Sequence, residues 1–310
     1  MGRKRQAAVR GDPGPLLGRG CSRGRVCLTQ GPSLFAISDL HLNHKANRDI
    51  AEALCPETPH DWLAVAGDVS HRPDELVAFL ARLRGRFAQV LWTPGNHDLW
   101  SRDGDPHRGA ALYDHLVAQC RAHGVLTPED PYPVWPDAAG GIVIAPLFLL
   151  YDYSLRPVGL TKAEAMRDAA AARVICNDEG LLAPHPYPSR EAWCADRLRQ
   201  TRARLDAVPE DRRTVLISHW PLHPGPLARL RIPEFSLWCG TRETADWHTR
   251  YRAVAAVHGH LHIPITEEYD GVRHEEVSLG YPRERAARTR PVAYGLRRIL
   301  VRPAGLEPAT

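Results

Sequence analysis

The chain has no long hydrophobic run. Its longest apolar stretch, residues 142–150, is interrupted by Pro146, whereas a membrane-spanning helix needs about 20 apolar residues. No transmembrane segment is expected. The basic N-terminus lacks an apolar core and a small-residue cleavage site, so it does not read as a secretory signal. No CxxC pair occurs, and the seven cysteines (Cys21, Cys27, Cys55, Cys120, Cys176, Cys194 and Cys239) are odd in number. A disulfide framework or a thiolate zinc site is therefore not expected; reduced thiols and a cytoplasmic setting are. Internal repeats are also missing. Ser218 has no G-x-S-x-G elbow around it, which argues against a serine nucleophile there.

What is present suits a folded protein. Hydrophobic residues make up 44% and charged residues 25% of 310 residues, which is ordinary for a large α/β domain and not for a disordered chain. The net charge of +4 is unevenly spread: residues 1–26 and residues 283–302 each carry +6, which leaves −8 for the body. An acidic body lacks the basic face of a duplex-DNA binder, and a nucleic-acid partner is not expected. Residues 1–32, rich in Gly, Arg and Pro, read as a flexible basic leader. Residues 283–310 read as an Arg-rich C-terminal segment, either a solvated tail or a surface for an acidic partner.

Between them, residues 33–282 read as one domain. Short apolar runs at 33–38 (SLFAIS), 61–66 (DWLAVA) and 88–93 (AQVLWT) have the form of buried strands. Residues 74–84 space Leu76, Phe79, Leu80 and Leu83 at helical intervals. Strands and helices in alternation predict an α/β fold with crossover connections. Further strands are predicted at 141–145, 214–218, 253–257, 263–269 and 272–279, the last two joined by an Asp270-Gly271 hairpin turn. Residues 149–209 interrupt the rhythm with two helical stretches, 161–174 and 189–208, joined by a bend with Pro184, Pro186 and Pro188. They read as a helical insertion over the sheet edge.

The chemistry lies just after the strands. Asp39 and His41 follow the first, Asp68 the second, Asn96, His97 and Asp98 the third. His219 follows the strand at 214–218, and His258, His260 and His262 follow the strand at 253–257. Parallel strands deliver their C-terminal loops to one sheet edge, where such residues converge. If the last strand runs on, its three histidines share one side. Each fragment alone has a plain explanation: a turn with a surface histidine, an ordinary Gly-Asp turn, a satisfied core histidine. Their joint occurrence, in order and each at a strand end, points to a two-metal site. Carboxylate, amide and imidazole donors suit borderline divalent ions. An ion pair ionises a water and clamps a phosphate for in-line attack.

These motifs, Asp39-x-His41, Gly67-Asp68, Gly95-Asn96-His97-Asp98, His219 and Gly259-His260-x-His262, resemble the ordered set of the calcineurin-like metallophosphoesterases. The resemblance implies two facing β-sheets flanked by helices and two metal ions, Mn, Fe or Zn. It implies one ion held by Asp39, His41, Asp68 and His262, and a second by Asp68, Asn96, His219 and His260, with Asp68 bridging. His97 would act on the leaving oxygen or the transition state, with Asp98 orienting it.

The segments 178–190 (DEGLLAPHPYPSR), 233–247 (PEFSLWCGTRETADW) and 275–284 (EEVSLGYPRE) are similar to the actinobacterial phosphopantetheinyl hydrolases. That likeness implies removal of 4′-phosphopantetheine from the serine of a holo-acyl carrier protein. Two positions depart from it: His258 stands where an aromatic residue is expected, and Arg285 where a tryptophan is. In this reading Trp220, Trp238, Trp247, Tyr251 and Tyr281 line a groove for the substrate arm; otherwise they are core aromatics. Arg242, Arg250 and Arg283 contact phosphate or carrier, or are plain surface arginines. Alternative functions are a phosphatase or phosphodiesterase for a nucleotide, small phosphoester or phosphoprotein, and a scaffold that has lost catalysis.

Overall fold

The computed structural model describes residues 31–135, 141–286 and 295–301; all but the last two residues of the leader at 1–32 and much of the C-terminal segment lie outside these residues. Two mixed sheets face each other, with helices on their outer sides, as the resemblance implied. The first sheet holds β1 (Ser33–Ile37), β2 (Trp62–Val65), β3 (Gln89–Trp92) and, at its edge, β10 (Arg297–Val301) in the order β10-β1-β2-β3. The second holds β4 (Val134–Trp135), β5 (Ile142–Pro146), β6 (Arg213–Ile217), β7 (Ala253–His258), β8 (Ile265–Tyr269) and β9 (Val272–Glu276) in the order β4-β5-β6-β7-β9-β8.

Residue alternation explains the sandwich. In β1 and β2, Leu34, Ala36 and Ala64 point between the sheets; Phe35, Ile37, Leu63 and Val65 point outward to the helices. From the second sheet, Ile142, Ile144, Val215, Ile217, Ala255 and Val257 fill the same inner layer. A strand buried on both faces needs apolar residues at every position, which is why these runs lack a polar period. The strand β10, within the segment expected to lie beyond the domain, pairs antiparallel with β1 and adds Ile299 to the inner layer.

Crossover helices cover the outer faces. Helix α1 (Lys45–Glu52) links β1 to β2, and α2 (Pro73–Arg84) links β2 to β3. In α2, Pro73 opens the helix, Asp74 and Glu75 occupy its first turn, and Arg82 and Arg84 its last, all in keeping with the helix dipole. Its Leu76, Phe79, Leu80 and Leu83 are buried against the sheet, with α3 (Ala110–Ala122) packed beside it. The predicted hairpin is present: Asp270 and Gly271 both adopt positive φ (51° and 76°) between β8 and β9, the backbone of a tight two-residue turn.

The insertion forms α4 (Lys162–Ala171), α5 (Asp178–Leu181) and α6 (Arg190–Asp206). Thr161 and Glu164 cap α4 reciprocally, and Ser189 caps α6. Trp193, Cys194 and Leu198 of α6 join the same core as Phe148 and Tyr113, so this region packs as part of the domain. Helix α7 (Trp247–Arg250) precedes β7, and α8 (Pro282–Ala286) follows β9. No described helix is long and apolar enough to cross a membrane.

One expectation needs correcting. The functional loops do not leave a single sheet edge. Those after β1, β2 and β3 leave one sheet, and those after β6 and β7 leave the other. The sandwich brings both sets to a shared rim, where an isolated parallel bridge joins Ser38 to Ser278. Alanines at 36, 64 and 66 keep the inner layer thin. Ala64→Leu should overpack it and destabilise the fold by about 1–3 kcal/mol, read as a lower midpoint in urea unfolding. An unchanged midpoint would show spare room between the sheets.

Candidate metal centre

The rim gathers every predicted metal-ligating side chain. Asp39, His41 and His262 offer ligand atoms within 4.8 Å of one another, as do Asp39, Asp68 and His219. His41 Nε2 lies 3.9 Å from both Asp39 Oδ1 and Asp68 Oδ2, and 3.2 Å from His262 Nε2. His262 Nε2 lies 3.0 Å from Asp39 Oδ1. On the other side, His219 Nε2 is 3.6 Å from Asp68 Oδ1, 3.1 Å from Asn96 Oδ1 and 3.2 Å from His260 Nδ1. Asp68 thus stands between two groups of donors, one on each carboxylate oxygen. His41, Asp68 and His97 also cluster within 4.8 Å, with His97 Nε2 3.8 Å from Asp68 Oδ2.

The backbone is bent to achieve this. Asp39, His41, Asp68, His260 and His262 all have left-handed φ, between 41° and 71°. Such a conformation is costly for a residue with a Cβ and concentrates at functional sites. It also corrects an expectation: β7 ends at His258, and His260 and His262 reach the rim through a turn, not by strand alternation. His258 itself is buried, with neither ring nitrogen partnered among the described residues. Burial pushes its pKa down to about 4. It fills the expected aromatic position as a neutral ring.

Glycine matters at two of these turns. A Cβ on Gly95 would stand 2.1 Å from Asp68 Oδ1, and one on Gly67 would stand 2.7 Å from His219 Nδ1. That nitrogen is 2.8 Å from Ala66 O, so it carries the proton and donates it there. The Nε2 lone pair is left facing Asp68 and Asn96.

Electrostatics explains what the rim is built to hold. Burial raises the Asp68 carboxyl well above its usual range, and the Asp39 and Asp98 carboxylates beside it raise it further. Burial also works against ionisation of Asp39, but His262, His219 and His41 outweigh it and hold that carboxyl well below its usual range. Burial lowers His41, His97, His219 and His260. His262 rises despite burial, because Asp39 and Glu284 flank it. The ring faces a carboxylate on each nitrogen, Nδ1 with Glu284 Oε2 at 2.7 Å and Nε2 with Asp39 Oδ1 at 3.0 Å, so without a metal ion it donates to both, and a bound cation would replace the Nε2 proton. On the other side the His219 Nε2 lone pair meets Asn96 Oδ1 and Asp68 Oδ1, and acceptors turned toward acceptors are repulsive unless a cation lies between them. His260 Nε2 is likewise buried without a partner. This all-N/O donor set fits two borderline divalent ions.

Several supporting residues were not visible in the sequence. Asp39 Oδ2 accepts from Ser38 Oγ (2.6 Å), Ser278 Oγ (2.6 Å) and His260 N (3.0 Å), and Glu276 in turn bonds Ser278. Asn47 donates to the carbonyls of Leu40 (2.8 Å) and Gly280 (3.0 Å). Arg285, where a tryptophan was expected, donates to Asn47 Oδ1 and Gly280 O. The bonds of Asp39 to Ser278 and His260, and of Asn47 to Gly280 and Arg285, join segments more than 200 residues apart and carry no local spacing.

The remaining expected residues separate. Asp98 does not touch the His97 ring. Its oxygens accept from the backbone N–H groups of Asp68, Val69, Ser70 and Gly95, and from Trp92 Nε1, at 2.8–3.3 Å. It ties the Asp68 loop to the His97 loop. Tyr281 does lie at the rim, stacked on His41 (ring centroids 4.4 Å) with its hydroxyl 3.4 Å from His97 Nε2. Trp220, Trp238, Trp247 and Tyr251 are buried. They form core and backing for the rim, not an open groove: Trp220 sits edge-on to His219, and Trp238 Nε1 donates to Glu179. Arg242 is exposed, but its guanidinium donates to the carbonyls of Ser154 and Arg156.

Gly95→Ala would force Asp68 out of place. It should weaken Mn²⁺ binding roughly 10–100-fold while the far-UV circular dichroism stays unchanged. Wild-type affinity in this variant, measured by calorimetric titration, would show that Asp68 is not a ligand.

Comparison with known proteins supplies the family. The chain is 54% identical over 275 residues to the [acyl-carrier-protein] phosphodiesterase PptH of Mycobacterium tuberculosis, covering 88% of this chain and 84% of that protein. The crystal structure of phosphopantetheinyl hydrolase PptH from the same organism superposes with a TM-score of 0.84 at 53% identity, covering 88% of this chain and 97% of that one. The calcineurin-like phosphoesterase family matches residues 33–264, and the chain belongs to that family.

Proposed function

We propose that this protein is a two-metal phosphodiesterase that removes 4′-phosphopantetheine from the serine of holo-acyl carrier proteins. One observation carries the reading: a complete Asp, Asn and His rim for two cations, in a chain 54% identical across 88% of its length to an acyl-carrier-protein phosphodiesterase. Asp39, His41, Asp68 and His262 would hold one ion, and Asp68, Asn96, His219 and His260 the other, with Mn, Fe or Zn suiting these donors. Bound there, the ions supply Lewis acidity, which lowers the pKa of a water and neutralises phosphate charge.

The chain's own residues do the rest. Water oxygen bonds to phosphorus as the bond from phosphorus to the serine oxygen breaks, releasing phosphopantetheine and a carrier with a free serine. His97, whose ring stacks on Trp100 at 3.6 Å, donates to the departing serine oxygen. Tyr281, beside His97 and His41, closes one wall of the site. Asp98 and Gly95 keep the Asp68 loop against the His97 loop, which preserves the reacting geometry. The cytoplasmic setting expected from the cysteine pattern goes with this reading.

His97→Ala should lower turnover about 10²–10⁴-fold while two ions per chain remain, read by elemental analysis. Unchanged turnover would remove His97 from the mechanism. The substrate is tested with Mn²⁺-loaded protein and four candidates: holo-carrier protein, cyclic nucleotide, phosphopeptide and single-stranded DNA. Intact mass should show loss of the arm from the carrier alone. Cleavage of another candidate in its place would overturn the substrate assignment, and cleavage of none would favour a scaffold.

A further inference from the structure

Asp178 has no part in the reading above, yet it reaches the centre of the site. It opens α5 in the insertion, 82 residues from Asn96, and is fully buried. Its Oδ1 accepts from Asn96 Nδ2 at 2.9 Å and from Trp100 Nε1 at 2.6 Å. No described cation pairs with this carboxylate. The nearby Arg190 donates instead to the backbone carbonyls of Asp178 and Leu182, and to Glu179. Burial pushes the Asp178 carboxyl up, and the Asn96 and Trp100 donors pull it back. A buried carboxylate without a cation is costly, and Glu179 already anchors α5 through Tyr153, Trp238 and Arg190. Holding the helix in place does not require Asp178.

We propose that Asp178 is a positioning residue that sets both the amide orientation of Asn96 and the indole plane on which His97 rests, so that the helical insertion governs the reaction centre. The inference rests on the reading of Asn96 as a ligand and His97 as the donor to the leaving group. Asp178 Oδ1 must be an acceptor here, because the Trp100 indole N–H that meets it can only donate. A side-chain amide has nearly the same shape either way round, so packing cannot choose its orientation; hydrogen bonds must. With Nδ2 held by Asp178, Oδ1 faces His219 Nε2 at 3.1 Å and the space between Asn96, His219 and Asp68. Flipped, the amide would set oxygen against carboxylate and an N–H₂ group where a cation ligand belongs. The indole N–H is likewise donor only. Its bond to the same oxygen fixes how the Trp100 ring swings, and that ring lies 28° from parallel to His97. One acceptor atom therefore couples one half of the rim to the residue facing the leaving group.

The test reads the centre without the carrier. Turnover is measured on bis(4-nitrophenyl) phosphate with Mn²⁺, alongside ions per chain and the melting midpoint. Asp178→Leu keeps similar bulk and removes the acceptor oxygen. It should lower kcat about 10–100-fold with KM nearly unchanged, and reduce bound Mn²⁺ from two ions toward one. Asp178→Asn, whose amide oxygen can take the place of Oδ1 with its N–H₂ where the unpartnered Oδ2 stands, should restore part of the lost ion. Trp100→Phe keeps the stack without the N–H. Its effect and that of Asp178→Leu should combine to less than their product, as expected when one acts through the other. The proposal is overturned if Asp178→Leu keeps two ions and full kcat. It is overturned equally if its loss of turnover follows a lowered melting midpoint with the ion count intact. Wild type that hydrolyses this diester but leaves holo-carrier untouched would remove the substrate reading alone, and the Asp178 result would stand by itself.

Discussion

The structure depends on polar ligand atoms held against one another at a largely buried rim. Asp68 meets His41 on one oxygen and His219 on the other, while Asp39, His262 and His260 press in around them. Without positive charge this arrangement is repulsive, and the opposed shifts of Asp68 and Asp39 record the conflict. A neutral hydrophobic rim would be cheaper to fold. The chain keeps an array whose repulsion protons on Asp68 and His262 relieve in part and whose oxygen and nitrogen donors suit bound cations.

The rest of the architecture holds that array still. Five of the rim residues sit in left-handed backbone, and such strain persists only where the surroundings over-determine it. The sandwich supplies the surroundings. Asp98 gathers the N–H groups of the Asp68 loop, Ser278 and Ser38 grip Asp39, and Glu284 turns His262. Each of these partners fixes an orientation, leaving the ligand atoms aimed at common points. The insertion enters through α5, packed beneath Asn96 and Trp100.

Legibility differed by residue class. Alternating apolar strands, the amphipathic α2 and the Asp270-Gly271 hairpin follow from local pattern and stand close to where the sequence puts them. Helix α1 does not, because it buries only Asn47 and Ala51 and so carries no hydrophobic stripe. Strand β10 reads as an arginine-rich tail because its burial comes from pairing with β1 across most of the chain. The aromatic residues near the last two loops were ambiguous for a similar reason. Aromatic composition does not distinguish a groove from a core, and the three tryptophans and Tyr251 face inward with Tyr281 alone at the rim.

The order of Asp, Asn and His after successive strands was written in the primary sequence, since parallel strands must deliver their loops to a common end. From that order alone the donor types, the two-cation chemistry and the family resemblance followed. What only the tertiary structure decided is the aim of each donor. Two sheets, not one, bring the loops together, a turn and not a strand presents His260 and His262, and Asp98 serves the backbone and not His97. These are matters of hydrogen bonds between segments far apart in the chain, and no local spacing encodes them.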